Sequence, residues 1–390
     1  MSQVIEVESS NIMKYGQVIA GDTFLVCKTK DGRIVSTLAD GLGSGIKANV
    51  LSQLTAAMAQ KFVIDEVESI RTANRIMETL PVCSKRKISY STFTTLDIDS
   101  NGYCRILEYD NPDILWLRGE KFLSPQKFPS TIKSETDRKT IFYSEIQLEF
   151  GDRLIYFSDG VTQAGLGSGT FSIGWGIDNV KEFIGKCIKD DPGMSAKKLS
   201  RLIVNRSEQI DGSRSHDDIT CGVIYYREAR ETLLISGPPY DRNKNSYIVE
   251  KFKNFNGRKI ISGGTTSIII STGIEERIKT DMTDIHSDIP PRAIMNGADL
   301  VTEGMLTINK AVKILQEEDA KNIKDTDAAH RLVQILLDSD KIYFLVGTAI
   351  NEMHQSPEIP MELGIRRISM NRLSQVLKEK YMKEVYIEYV

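Results

Sequence analysis

Three segments of this chain share one design, an apolar run that stops abruptly at an acidic residue. They are Val35-Ser36-Thr37-Leu38-Ala39-Asp40-Gly41, then Leu154-Ile155-Tyr156-Phe157-Ser158-Asp159-Gly160, and, in the reverse sense, Asp217-Asp218-Ile219-Thr220 entering an apolar stretch. Asp22, within Ala20-Gly21-Asp22, adds a further carboxylate inside a strand-like run. A carboxylate at or inside a buried strand is costly unless it is paired or holds a metal. Asp-Gly by itself is an ordinary turn signal, and each of these sites alone reads as a plain loop. Their conjunction, with no matched Lys or Arg beside them, points to a shared cation. Oxygen ligands of this hardness suit Mg²⁺ or Mn²⁺ rather than zinc.

The elements that must position these acids follow from the hydrophobic period. Residues 17–28 and 33–39 read as two strands joined at Lys30-Asp31-Gly32. Ile46, Val50, Leu51, Leu54, Met58 and Phe62 recur at helical spacing, which predicts an amphipathic helix with that stripe buried. Val67, Ile70, Ala73, Met77 and Leu80 predict a second. Strands follow at 89–99, 103–109, 113–117, 140–148 and 153–158, then helices near 178–188 and 195–210 and a closing strand at 219–226. This order predicts an α+β layer architecture dominated by antiparallel hairpins. After Arg227-Glu228-Ala229-Arg230-Glu231 strands and helices alternate, as in βαβ units with a mainly parallel sheet. The boundary is placed at 229, giving domains 1–228 and 229–390.

The chain has 390 residues, 41% hydrophobic and 26% charged, with a formal charge of −3. That profile excludes a disordered or collagen-like chain, and the charge balance offers no field for nucleic acid. Five scattered cysteines without a CxxC argue against a zinc cage or a disulfide framework. No run approaches the roughly 18 apolar residues that span a bilayer, and the N-terminus has no signal-peptide pattern, so the expectation is a cytoplasmic protein without a membrane partner.

Gly21-Asp22, Ala39-Asp40-Gly41-Leu42-Gly43-Ser44-Gly45 with Lys47-Ala48, Phe157-Ser158-Asp159-Gly160-Val161-Thr162, and Asp217-Asp218-Ile219-Thr220 together resemble the PPM-type metal-dependent protein phosphatases. The resemblance is to their bacterial SpoIIE-like branch and covers about residues 8–226. It implies a β-sandwich of two antiparallel sheets flanked by helix pairs, with the cation centre at one end. Carried over by motif, Asp40 would bridge two Mn²⁺ or Mg²⁺ ions with the Gly41 carbonyl on one of them. Asp22 would serve one ion, directly or through water, and Asp159 and Asp217 would hold the other. Asp218 would lie outside these or act as an extra outer ligand; the motif does not separate Asp217 from Asp218. Asp40, Asp159 and Asp217 would carry catalysis. The implied reaction is hydrolysis of phosphoserine or phosphothreonine on a regulatory protein by a metal-activated water in a bacterial signalling pathway. Alternatives are a non-catalytic partner-binding module on the same fold, or a C-terminal enzyme or sensor regulated by the phosphatase unit.

Eukaryotic members of the family carry a phosphate-holding Arg near the first acid, and here Gly16-Gln17-Val18-Ile19-Ala20 has none. Lys47 and His216 are further candidates near the acids, although exposed side chains of these types are commonplace. Residues 165–176, rich in glycine with Phe171 and Trp175, read as a flap or an ordinary long loop. In the second domain Gly263-Gly264-Thr265-Thr266 follows a strand and can present backbone N–H groups to a small anionic ligand, or simply form a tight turn. The β-branched Ile268-Ile269-Ile270 weighs against a helix there. The sequence leaves the oligomeric state open, a homodimer included.

Overall fold

The computed structural model describes residues 3–65, 91–133, 138–168, 171–281, 288–317, 327–349 and 359–390. Val67, Ile70, Ala73, Met77, Leu80, Cys83, His286 and His354 lie outside these residues. The chain divides into two compact units, Met1–Glu228 and Ala229–Val390.

In the first unit, one sheet has the order β1 (Gln3–Ile12), β11 (Ile219–Glu228), β10 (Arg153–Phe157), β6 (Leu115–Arg118), β7 (Lys121–Leu123). The other runs β2 (Thr23–Lys28), β3 (Ile34–Gly41), β4 (Ser91–Ile98), β5 (Tyr103–Tyr109), β9 (Arg138–Gln147), β8 (Phe128–Lys133). Every pairing in both sheets is antiparallel. Leu38, Leu96, Ile106, Leu154, Tyr156 and Ile224 form the layer between the sheets, where alternate inward residues interdigitate. The Tyr156 hydroxyl and the Ser36 Oγ hydrogen-bond across that layer, which satisfies both polar groups without water.

Helix α1 (Ile46–Asp65) covers the outer face of the second sheet. It buries Ala48, Ser52, Thr55, Ala56, Ala59 and Val63, whereas Ile46, Val50 and Leu54 are exposed. The helix forms as its period predicts, but the buried face is not the large apolar stripe. The reason is closeness: a Cβ on Gly41 would stand 2.1 Å from the Ala48 carbonyl oxygen, so only small residues fit between helix and strand end. After the one-turn α2 (Asp159–Thr162), helices α3 (Gly176–Asp190) and α4 (Ala196–Ile210) pack on the first sheet through Val180, Ile184, Leu199 and Ile203. Trp175 is buried in this layer edge-on to Phe183, and Phe171 packs against the same cluster. Both aromatics of the glycine-rich loop therefore anchor it inward.

In the second unit, β12 (Glu231–Ser236), β13 (Arg258–Ser262), β16 (Leu300–Thr302), β17 (Lys341–Val346) and β18 (Glu384–Tyr389) are parallel in the order β16-β13-β12-β17-β18. The short β14 (Lys279–Thr280) and β15 (Ala293–Ile294) add an antiparallel edge. Helices α5 (Asn245–Asn254) and α6 (Gly264–Ile274) cover one face; α7 (Met305–Gln316), α8 (Ala328–Leu337) and α9 (Ile359–Glu379) cover the other. The sheet is doubly wound: strands are added from β12 first toward β13 and β16 and then on the other side as β17 and β18, so the strand order reverses between β12 and β17. Residues Gly264–Ile274 are helical despite their β-branched run, because packing of Ile270 against Ile248 and Ile261 outweighs propensity. No helix among the described residues is long and apolar enough to cross a membrane.

Candidate active site

The register of the two sheets brings the acids to one end of the sandwich. Thr23 pairs with Ala39, which sets Asp22 beside Asp40 at the start of β2 and the end of β3. Phe157 pairs with Cys221, which sets Ser158 and Asp159 beside the Asp217-Asp218 entry to β11. The charges of Asp22, Asp159 and Asp217 all act on the Asp40 carboxyl, which makes these acids near neighbours.

Glycines make the approach possible. A Cβ on Gly160 would stand 2.2 Å from the Asp218 carbonyl oxygen, a position backbone cannot yield. Gly160→Ala is therefore expected to cost about 3 kcal/mol, by overpacking at a rigid junction. Chemical denaturation checks this, with the midpoint falling and the slope unchanged.

Burial and mutual repulsion dominate the electrostatics. Desolvation pushes the Asp22 carboxyl up to about 7, against the hydrogen bond from Ser158. Asp40 is pushed up to about 10, by desolvation first and then by the charges of Asp22, Asp159 and Asp217. Asp159 and Asp217 are raised as well, again chiefly by burial. Asp22 Oδ1 is buried with no hydrogen-bond partner. Among the described residues no three such side chains stand in ready ligand geometry, as expected of carboxylates whose charges oppose convergence. An orphaned buried oxygen and a desolvated set of hard oxygen donors, with acids as the leading charges acting on Asp40, suit a divalent ion.

Asp217 and Asp218, alike in sequence, differ in surroundings. Asp218 is buried, and its two oxygens accept from backbone amides: Oδ1 from Lys14 at 3.0 Å and Oδ2 from Gly21 at 2.8 Å. It clamps the chain that delivers Asp22. The Asp217 side chain is 44% exposed and lies 3.8 Å from the Lys14 Nζ. Asn49 Nδ2 donates to the Ala20 carbonyl at 2.7 Å, a second tie on the same chain.

Ser158 and Lys14 were not singled out by sequence. Ser158 is fully buried; its Oγ donates to Asp22 Oδ2 at 2.7 Å and accepts from the Thr220 N–H at 3.1 Å. A serine before an Asp-Gly turn signals nothing locally, because both partners are remote in sequence. Lys14 supplies a cation at the rim where the expected Arg is missing. His216 is exposed, with Nδ1 at 3.4 Å from Asp211 Oδ1. Ser158→Ala would leave the Thr220 N–H unpaired, so a loss of about 1–2 kcal/mol is expected. Calorimetric titration should also show weaker Mn²⁺ binding, since Asp22 loses the donor that fixes its rotamer.

Residues 30–227 match the family described as Stage II sporulation protein E (SpoIIE). Over 166 residues the chain is 25% identical to the stage II sporulation protein E of Bacillus subtilis (strain 168), covering 40% of this chain and 19% of that protein. The match thus spans only 19% of that relative's length. Among solved structures it is similar to the SpoIIE phosphatase domain of Bacillus subtilis, at 18% identity over 58% of this chain and 94% of that one, TM-score 0.44. It is also similar to the PP2C phosphatase domain of the same protein with a fragment of its regulatory domain, at 20% identity over 58% and 64%, TM-score 0.47. A third likeness is to RsbX in complex with magnesium, at 17% identity over 57% and 95%, TM-score 0.39.

Proposed function

Since the chain belongs to the SpoIIE family, we propose that its first unit is a Mg²⁺- or Mn²⁺-dependent protein serine/threonine phosphatase acting on a phosphorylated regulatory protein. The observation that carries this reading is the meeting of buried Asp22 with half-buried Asp40 and Asp159, with Asp22 Oδ1 left without a partner. A fold built only for partner binding gains nothing from desolvated, mutually repelling acids at a sandwich end.

In this reading Asp40, between Asp22 and Asp159, would contact both of two ions, with the Gly41 carbonyl beside it. Asp22 would complete one site, and Asp159 and Asp217 the other. Bound ions would supply charge neutralisation for the phosphoryl oxygens and an activated water for the attack on phosphorus. The chain's own contribution is placement. Ser158 fixes the Asp22 carboxylate, Asp218 clamps the Lys14 and Gly21 amides, and Gln163 Nε2 donates to Asp159 Oδ2 at 2.7 Å. The Lys14 ammonium offers an incoming dianion a positive rim.

The experiment is phosphate release from p-nitrophenyl phosphate and a phosphoserine protein with Mn²⁺, comparing wild type with Asp159→Asn. Turnover by wild type alone supports the proposal. No Mn²⁺-dependent turnover of either compound, or equal turnover by the variant, overturns it.

A further inference from the structure

The second unit holds a cavity of about 370 Å³ at the carboxyl ends of its parallel strands. It is lined by Ser236-Gly237-Pro238 after β12, Gly263 to Thr266 after β13, Glu303-Gly304-Met305 after β16, Ala349 after β17, and Arg366 of α9. It lies at the carboxyl ends of the strands, the end of an open parallel sheet at which ligands are taken.

Two helices begin at this cavity, each preceded by a glycine that no L side chain could replace without strain. Gly263 has φ 123° and Gly304 φ 146°. Neither helix has a side-chain cap, so the amides of the first turns of α6 and α7 are not satisfied by an N-cap side chain. The first hydrogen bonds inside these helices are Ser267 N to Gly263 O and Ile308 N to Gly304 O.

A second observation is independent of the helix ends. Thr266 lines the cavity, is fully buried, and its Oγ1 has no hydrogen-bond partner. A buried hydroxyl left unpaired is costly, and a ligand acceptor would remove that cost. The Arg366 guanidinium reaches the same cavity while donating to the Gly347 and Ala349 carbonyls. Uncapped amides, an unpaired hydroxyl and a guanidinium are all donors, the complement of a tetrahedral oxyanion. Glu303, exposed on the rim, is an acceptor suited to a hydroxyl on the same ligand.

We propose that this cavity binds a phosphoryl group, with the amides opening α6 and α7, Thr266 Oγ1 and Arg366 as its donors. The ligand is inorganic phosphate or the phosphomonoester of a small hydroxylated molecule. The first strand turn, Ser236-Gly237-Pro238-Pro239-Tyr240, lacks the glycine spacing of a dinucleotide site, and the volume suits a small ligand.

The test titrates the full chain with inorganic phosphate by calorimetry in EDTA, which removes divalent ions from the first unit. Glycerol 3-phosphate and glycerol follow as second and third titrants. Thr266→Val keeps the shape and removes only the unpaired hydroxyl, and is expected to weaken phosphate at least fivefold. Gly264→Asp puts a carboxylate among the amides at a position where a Cβ meets nothing within 4 Å, and is expected to abolish binding. Melting curves establish that both variants fold. Saturable one-to-one phosphate binding lost in this pattern supports the proposal. Tighter glycerol 3-phosphate, with no binding of glycerol, identifies a monoester as the ligand type. No phosphate binding, or binding that both folded variants retain, overturns it.

Discussion

Asp40→Asn is expected to lower Mn²⁺-dependent phosphate release about a thousandfold while raising the melting temperature of the metal-free protein. Both effects come from one charge. Asp40 stands among Asp22, Asp159 and Asp217, and its carboxyl is pushed up to about 10 by burial and the charges of these neighbouring acids. Removing a shared ligand of a two-ion centre withdraws several kcal/mol of transition-state stabilisation, which is roughly three decades in rate. The same change replaces an anion, or a proton held against its preference, by a neutral amide of equal size. A gain of about 1–2 kcal/mol, or a few degrees for a domain of this size, follows without metal. Rate assays with Mn²⁺ and melting curves in EDTA check the two halves. A variant that loses activity because it unfolds would show the opposite thermal shift.

The second large effect is on pH. The folded Asp22 and Asp40 carboxyls titrate at about 7 and about 10, above the 3.8 of a free side chain. The folded protein therefore binds protons that the unfolded chain has released. Stability from these groups is complete below about pH 3.8 and is lost as pH rises toward 7 for Asp22 and toward 10 for Asp40. The two titrate as a linked set rather than as separate sites. In EDTA the melting temperature is expected to fall between pH 5 and 9. Mn²⁺ binds the deprotonated carboxylates, so its stabilising shift should grow over the same interval and flatten the profile. A metal shift that shrinks with rising pH would contradict this account.

The acids were legible because each ends or begins a strongly apolar strand, and period-two runs ending in Asp-Gly leave little choice of placement. The helical period of 46–62 was legible too, but its buried face was not. Large residues such as Val50 and Leu54 are the usual inward choice, yet Gly41 approaches Ala48 so closely that alanines, serines and threonines must occupy the contact. β1 was missed because it is a sheet edge whose residues are mostly half-buried, so polar Glu6, Glu8, Ser9 and Ser10 blur its alternation. Ser158, Lys14 and the difference between Asp217 and Asp218 depend on partners far away in sequence, such as the Gly21 amide against Asp218. No local pattern encodes them. Conversely, the β-branched run after Gly264 carried a real propensity signal that tertiary packing overrode.

The most direct test of the central claim is anomalous diffraction from crystals of the full chain grown with Mn²⁺. The account predicts two manganese peaks at one end of the sandwich, with Asp40 in contact with both, Asp22 on one and Asp159 with Asp217 on the other. Manganese found only elsewhere, or absent from these carboxylates at saturating concentration, would contradict it.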